Sequence, residues 1–112
     1  MTVGRFHIVI LTTFEGSEGR EYRDVISGHS TLEGALAGET SIMVRVKEDS
    51  AVWRAFDDAE DAWRKDPDRC AYRDFYNAWW FRNGWPAGER PKYGRSRSTA
   101  YWTEIEEVEI RD

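Results

Sequence analysis

Three aspartates crowd one short stretch, at positions 57, 58 and 61. Paired carboxylates do acid–base work when one keeps its proton near neutral pH, which needs burial or a like-charged neighbour. Asp57 and Asp61, with His29 brought near by the fold, would make a small carboxylate-based enzyme. The same acids could also form a face that imitates DNA. A plainer reading is preferred. Arg54 with Asp58, and Asp61 with Lys65, stand four apart, so on a helix each pair partly neutralises itself and the row faces water. His7 sits in an apolar run with no ligand at metal spacing, and His29 has no readable Ser–His–Asp or Cys–His arrangement. Gly16 and Gly19 lack the spacing and the GK[ST] of a phosphate loop. The expectation is therefore no catalytic residue, no metal and no cofactor.

Two other sets of side chains suit binding. Arg69, Arg73, Tyr76 and Trp80 recur at i, i+4, i+7 and i+11, so a helix would line them along one flank. Arginine mixed with large aromatics is the composition of interface hot spots. The competing expectation packs Tyr76 and Trp80 into the core, with the arginine stems laid over them. The second set is the loop 87–98, where Arg90, Lys92, Arg95 and Arg97 surround Tyr93. Clustered cations with an aromatic can hold phosphates or single-stranded nucleic acid. A solvated loop without a groove is the simpler reading.

Composition narrows the classes. The chain has 112 residues, a net charge of −5 and 14% aromatics. One domain, residues 1–112, is expected. An acidic balance argues against generic nucleic-acid binding, which rests on neutralising phosphates. A single cysteine, Cys70, excludes an intrachain disulfide, and with no readable signal peptide it points to the cytoplasm. No apolar run reaches membrane-spanning length. Arginine far outnumbers lysine, as a GC-rich coding sequence would give, which suggests a high-GC bacterium or its phage as source.

The elements that must position these residues read as follows. Residues 5–14, RFHIVILTTF, make a central strand, apolar on both parities and hence covered on both faces. A glycine-bearing turn over 15–21 returns the chain as a shorter strand, 22–27. Ser30 and Glu33 form a capping box for a short helix ending at Gly38. Ile42, Val44 and Val46 alternate with Met43, Arg45 and Lys47, which predicts a third strand over 40–48. Val52, Phe56, Ala59 and Trp63 give a helix over 51–65 its inner stripe. Asp66-Pro67 opens a second helix that Gly84 and Pro86 end. Residues 99–110 make the last strand, with a bulge at Glu106–Glu107 needed to restore one apolar face.

The order β-β-short α-β-α-α-β predicts an α+β domain: a four-stranded, mostly antiparallel sheet with a two-helix hairpin on one face. No family motif can be placed on these residues. The preferred function is a small acidic cytoplasmic domain that binds another protein or itself. A phage or mobile-element inhibitor of a host machine, of the anti-CRISPR kind, falls in that class. The alternative is a nucleic-acid-associated module using the 90–97 loop, and the second alternative is the carboxylate enzyme.

Overall fold

The computed structural model describes residues 2–86, 88–95 and 98–111. Its elements are β1 (Thr2–Glu15), β2 (Arg20–His29), α1 (Leu32–Lys65), α2 (Tyr72–Arg82) and β3 (Thr99–Arg111). The class is α+β, and the sheet is antiparallel with three strands in the order β2-β1-β3.

The predicted fourth strand is helix. Residues 32–65 form one continuous α1, about 51 Å long at 1.5 Å per residue. It absorbs the predicted short helix, the predicted strand 40–48 and the predicted helix 51–65. Ile42 and Val46 fit a period of two, but they also stand four apart. Ala35, Ile42, Val46, Trp53 and Phe56 are the buried residues of α1, spaced by three, four and seven as one helical stripe. Val44, which the strand reading places with Ile42 and Val46, is exposed. No proline interrupts 32–65, and the Gly38 inside it costs a helix only about 1 kcal/mol. Thr31 rather than Ser30 caps the start, its Oγ1 accepting from the Gly34 amide at 3.0 Å.

Pro67 ends α1 instead of opening α2. The residue before a proline avoids the helical region, and Asp66 is extended at φ −79°, ψ 117°. Its Oδ1 accepts from the Asp68 amide at 2.9 Å, which builds a turn before α2 begins at Tyr72. The end of α2 matches the sequence reading. Gly84 is left-handed at φ +86°, its amide reaches the Phe81 carbonyl and the Trp85 amide reaches the Trp80 carbonyl. This pair of bonds satisfies the last carbonyls, and the Trp85 ring packs edge-on against Trp80.

β1 is central, as expected, and pairs with β3; the last strand, expected inside the sheet beside β1, is instead at its edge, because no fourth strand forms. The β1–β3 ladder runs unbroken from Gly4↔Ile110 to Glu15↔Thr99, so no bulge occurs at Glu106–Glu107. The irregularity lies on β2, where Val9 faces Ser27 and Ile10 faces Val25, leaving Ile26 extra.

Two cores share α1. Near its start, Ala35, Ile42 and Val46 pack with Val9 and Leu11 of β1 and with Tyr93. Near its end, Trp53 and Phe56 pack with Trp80 of α2. Each buried Val, Leu, Ile or Phe among them contributes about 1.5–3 kcal/mol relative to exposure. α2 therefore packs on α1 beyond the sheet, and the expected helical hairpin does not cover a sheet face. The molecule measures 70 × 30 × 20 Å, with a radius of gyration of 19.1 Å against about 13 Å for a compact chain of this length.

Candidate interaction surfaces

The aromatic–arginine flank is not a continuous exposed stripe. Trp80 is 0% exposed and lies at the centre of the second core, ringed by Trp53, Phe56, Tyr76, Trp79 and Trp85. Tyr76 is half-buried beside it. What covers them is the chain after α2. Arg90 stacks its guanidinium over Tyr76 at 4.8 Å and over Trp80 at 4.7 Å, and its Nε donates to the Tyr76 hydroxyl at 3.1 Å. Cation–π contacts of this sort hold a loop onto a ring face. Of the four residues, only Arg73 and Arg69 are exposed; Arg69 precedes α2 and stacks on Trp63 at 5.5 Å.

The basic loop is likewise partly consumed by packing. Pro91 and Tyr93 are buried. The Trp53 indole N–H donates to the Pro91 carbonyl at 3.1 Å, and the Tyr93 amide donates to Asp49 Oδ2 at 3.2 Å. The Gly94 amide donates to the Tyr101 hydroxyl at 2.7 Å. Gly94 has φ +81°, and a Cβ there would run into the Cα of Ser50. Lys92 and Arg95 remain exposed, over the rings of Tyr93 and Trp53 respectively. Arg97 lies outside the described residues. The apolar residues inside this loop, Pro91 and Tyr93, are the signal for its docking.

The carboxylates and His29 do not converge. His29 abuts Gly38, where an added Cβ would stand 2.8 Å from its Nε2, and it shares a 2.7 Å hydrogen bond with Ser27 Oγ. Asp57 lies about 28 Å farther along the same helix, at 1.5 Å per residue. Asp61 is exposed. Among the described residues, no group of three or more His, Cys, Asp or Glu is placed to hold a metal ion, and no helix is long and apolar enough to cross a membrane. Glu60 has a marked environment. The Tyr72 hydroxyl donates to its Oε2 at 2.6 Å and Arg64 stands at 3.3 Å, which holds the Glu60 carboxyl below its ordinary range. Partial burial and the same bond push Tyr72 up to about 12.

One face of the sheet, which the sequence reading expects to be covered, is bare among the described residues. α1 packs on the face of the sheet that carries Val9, Leu11, Tyr101 and Ile105. The opposite face carries Phe6, Phe14, Val25, Trp102 and Val108, all exposed, with Val25 at 65%. The ladder sets them on one face in two groups: Phe6 faces Val108 at one end, Trp102, opposite Thr12, lies one same-face pair from Phe14 at the other, and Val25 faces Ile10 between them. Across the middle runs an ion cluster, with Arg23 Nη2 at 2.5 Å from Glu104 and 3.9 Å from Glu106. Beneath it Ile10 and Thr12 are buried, and the Thr12 hydroxyl has no hydrogen-bond partner.

Comparison with known proteins gives no match: no family model fits the chain, and no curated protein or solved structure is similar to it.

Proposed function

We propose that this chain is a protein-interaction domain whose docking surface is the bare face of the sheet, and that a second copy occupies it. The observation that carries the reading is the row Phe6, Phe14, Val25, Trp102 and Val108, exposed on a face that no element covers among the described residues. Monomeric proteins rarely leave so many large apolar groups on one face.

The dimensions favour a like partner. Three strands about 4.8 Å apart, rising about 3.3 Å per residue, give a face of roughly 600 Å². Two such faces stacked about 10 Å apart bury roughly 1,200 Å², the lower end of a stable interface. The charge is self-complementary. Arg23 serves two carboxylates, so a two-fold pair can exchange Arg23–Glu106 contacts between copies. A small inhibitor of a host machine, carried by a phage or mobile element in the anti-CRISPR manner, remains within this class, since it needs a docking face and no catalytic group.

A nucleic-acid role through Arg90, Lys92, Tyr93, Arg95 and Arg97 is less supported, because Arg90 and Tyr93 are engaged in the cores. Light scattering and sedimentation across the micromolar range test the proposal. The expected result is a concentration-dependent dimer that Val25→Glu abolishes without lowering the melting temperature. A wild-type chain that stays monomeric, or a Val25→Glu chain that dimerises equally, overturns it.

A further inference from the structure

α1 does not sit squarely on its sheet. On one flank Gly34 and Gly38 let the helix sink against His29 of β2; a Cβ at either glycine would meet the imidazole at 3.3 Å or less. On the other flank the residues are larger, and a groove of about 690 Å³ opens between α1 and the edge strand β3. Met43, Val44 and Tyr101 give it apolar walls, with Glu39 toward one end, Lys47 midway and Arg54 toward the other end.

The edge beside this groove is unguarded. Charged residues on an edge strand deter pairing with another chain. On β3 they are confined to the later part, Glu104, Glu106, Glu107, Glu109 and Arg111; the first stretch, TAYWT over 99–103, carries none. That stretch is the part against the groove, through Tyr101 and Thr103.

The direction of α1 then sets a polarity. Its start lies by His29, which pairs with His7 opposite Glu107, and Ser50 lies by Gly94, whose amide bonds to Tyr101. α1 therefore runs antiparallel to β3. An added strand antiparallel to β3 runs parallel to α1, with its amino end toward Glu39 and Glu104 and its carboxyl end toward Arg54.

We propose that the α1–β3 groove binds the extended carboxy-terminal segment of a partner protein, which adds as a strand antiparallel to residues 99–103 and places its terminal carboxylate beside Arg54, with Lys47 along its path. Main-chain hydrogen bonds to the β3 edge supply affinity, and side chains at alternate positions enter the apolar groove. A stretch of five residues spans about 17 Å, so about five residues of the partner are read. The cation at the far end of the groove matches the carboxylate that a chain terminus carries there, and this complementarity selects a carboxy-terminal segment over an internal extended one.

The experiment is fluorescence anisotropy with a synthetic pool of labelled hexapeptides, threonine alternating with valine, isoleucine or phenylalanine, each made with a free carboxyl end and as the amide. The expected result is saturable binding of free-acid peptides, with amides weaker by about tenfold or more, as loss of a charge-assisted contact implies. Val44→Glu, at an exposed position, and the double variant Lys47→Glu/Arg54→Glu should keep the wild-type melt and lose binding. No binding by any pool member, equal binding of acids and amides, or binding that survives both variants overturns the proposal. Val25→Glu lies on the other face and leaves peptide binding unchanged, so failure of the pairing reading and failure of this one are told apart.

Discussion

The indole N–H of Trp53 donates to the carbonyl of Pro91 at 3.1 Å, where the sheet core meets the aromatic core. Both residues are buried, so the carbonyl has no easy substitute for this donor. Trp53→Phe keeps a ring and removes the N–H. It should cost about 1–3 kcal/mol, the penalty of an unsatisfied buried acceptor, read as a shift in the urea midpoint with unchanged slope.

Gly94 should tolerate nothing larger. Its φ of +81° is strained for any side chain, and an added methyl meets the backbone of Ser50. Gly94→Ala is expected to lose about 2–4 kcal/mol, beyond the usual loss for alanine at positive φ. The contrasting change is Gly84→Ala, which shares the positive φ but has open space around it, and should cost only about 1 kcal/mol. Thermal melts of the two variants give the comparison; equal losses would mean that the contact with Ser50 is dispensable.

Trp80→Ala empties the centre of the second core and should destabilise by about 3–5 kcal/mol. Trp80→Phe should cost markedly less, because the buried Trp80 Nε1 has no hydrogen-bond partner to lose. Arg73→Glu, at an exposed position, should stay within about 0.5 kcal/mol of wild type. Denaturant titrations of the three variants check this order. A Trp80→Ala protein as stable as wild type would restore the outer flank as a surface.

The Tyr72–Glu60 bond gives stability a defined pH window. Glu60 is depressed in the folded chain, so its contribution is present above its unfolded value of about 4.3 and is lost as pH falls through the folded value. Tyr72 is raised to about 12, so its contribution is full below its unfolded value of about 10 and is lost as pH rises through about 12. The melting-temperature difference between wild type and Tyr72→Phe should therefore be flat through neutral pH and shrink at both extremes. A difference that does not change at either extreme would show that the bond is absent in solution.

Where the sequence carried strong local chemistry, the structure followed it. The hairpin closes with Gly19 left-handed at φ +65° and its amide on the Glu15 carbonyl at 2.8 Å, as a glycine-bearing turn requires. Gly84 ends α2 as read. What misled was degeneracy of period. Residues 42 and 46 satisfy a strand and a helix alike, and β-branching tipped the reading toward strand until Val44 is seen to be exposed. Gly38 looks like a stop but is there to let α1 approach His29. On α2 the helical wheel placed Trp80 on an outer flank because it ignored the loop after Pro86, whose Arg90 and Pro91 fold back as a lid. The bare sheet face was hidden for a similar reason. Ile8, Ile10 and Phe14 read as a second buried parity, whereas ion-paired neighbours on β2 and β3 shield the middle of it without a layer above.

The length of α1 has a hydrodynamic consequence. A chain of 13.1 kDa drawn out to 70 Å tumbles and diffuses as a heavier sphere would. On a sizing column calibrated with round standards, a single copy will run ahead of its mass and imitate a dimer. Stoichiometry must therefore come from mass-sensitive optics, while frictional ratio and rotational correlation time report the rod.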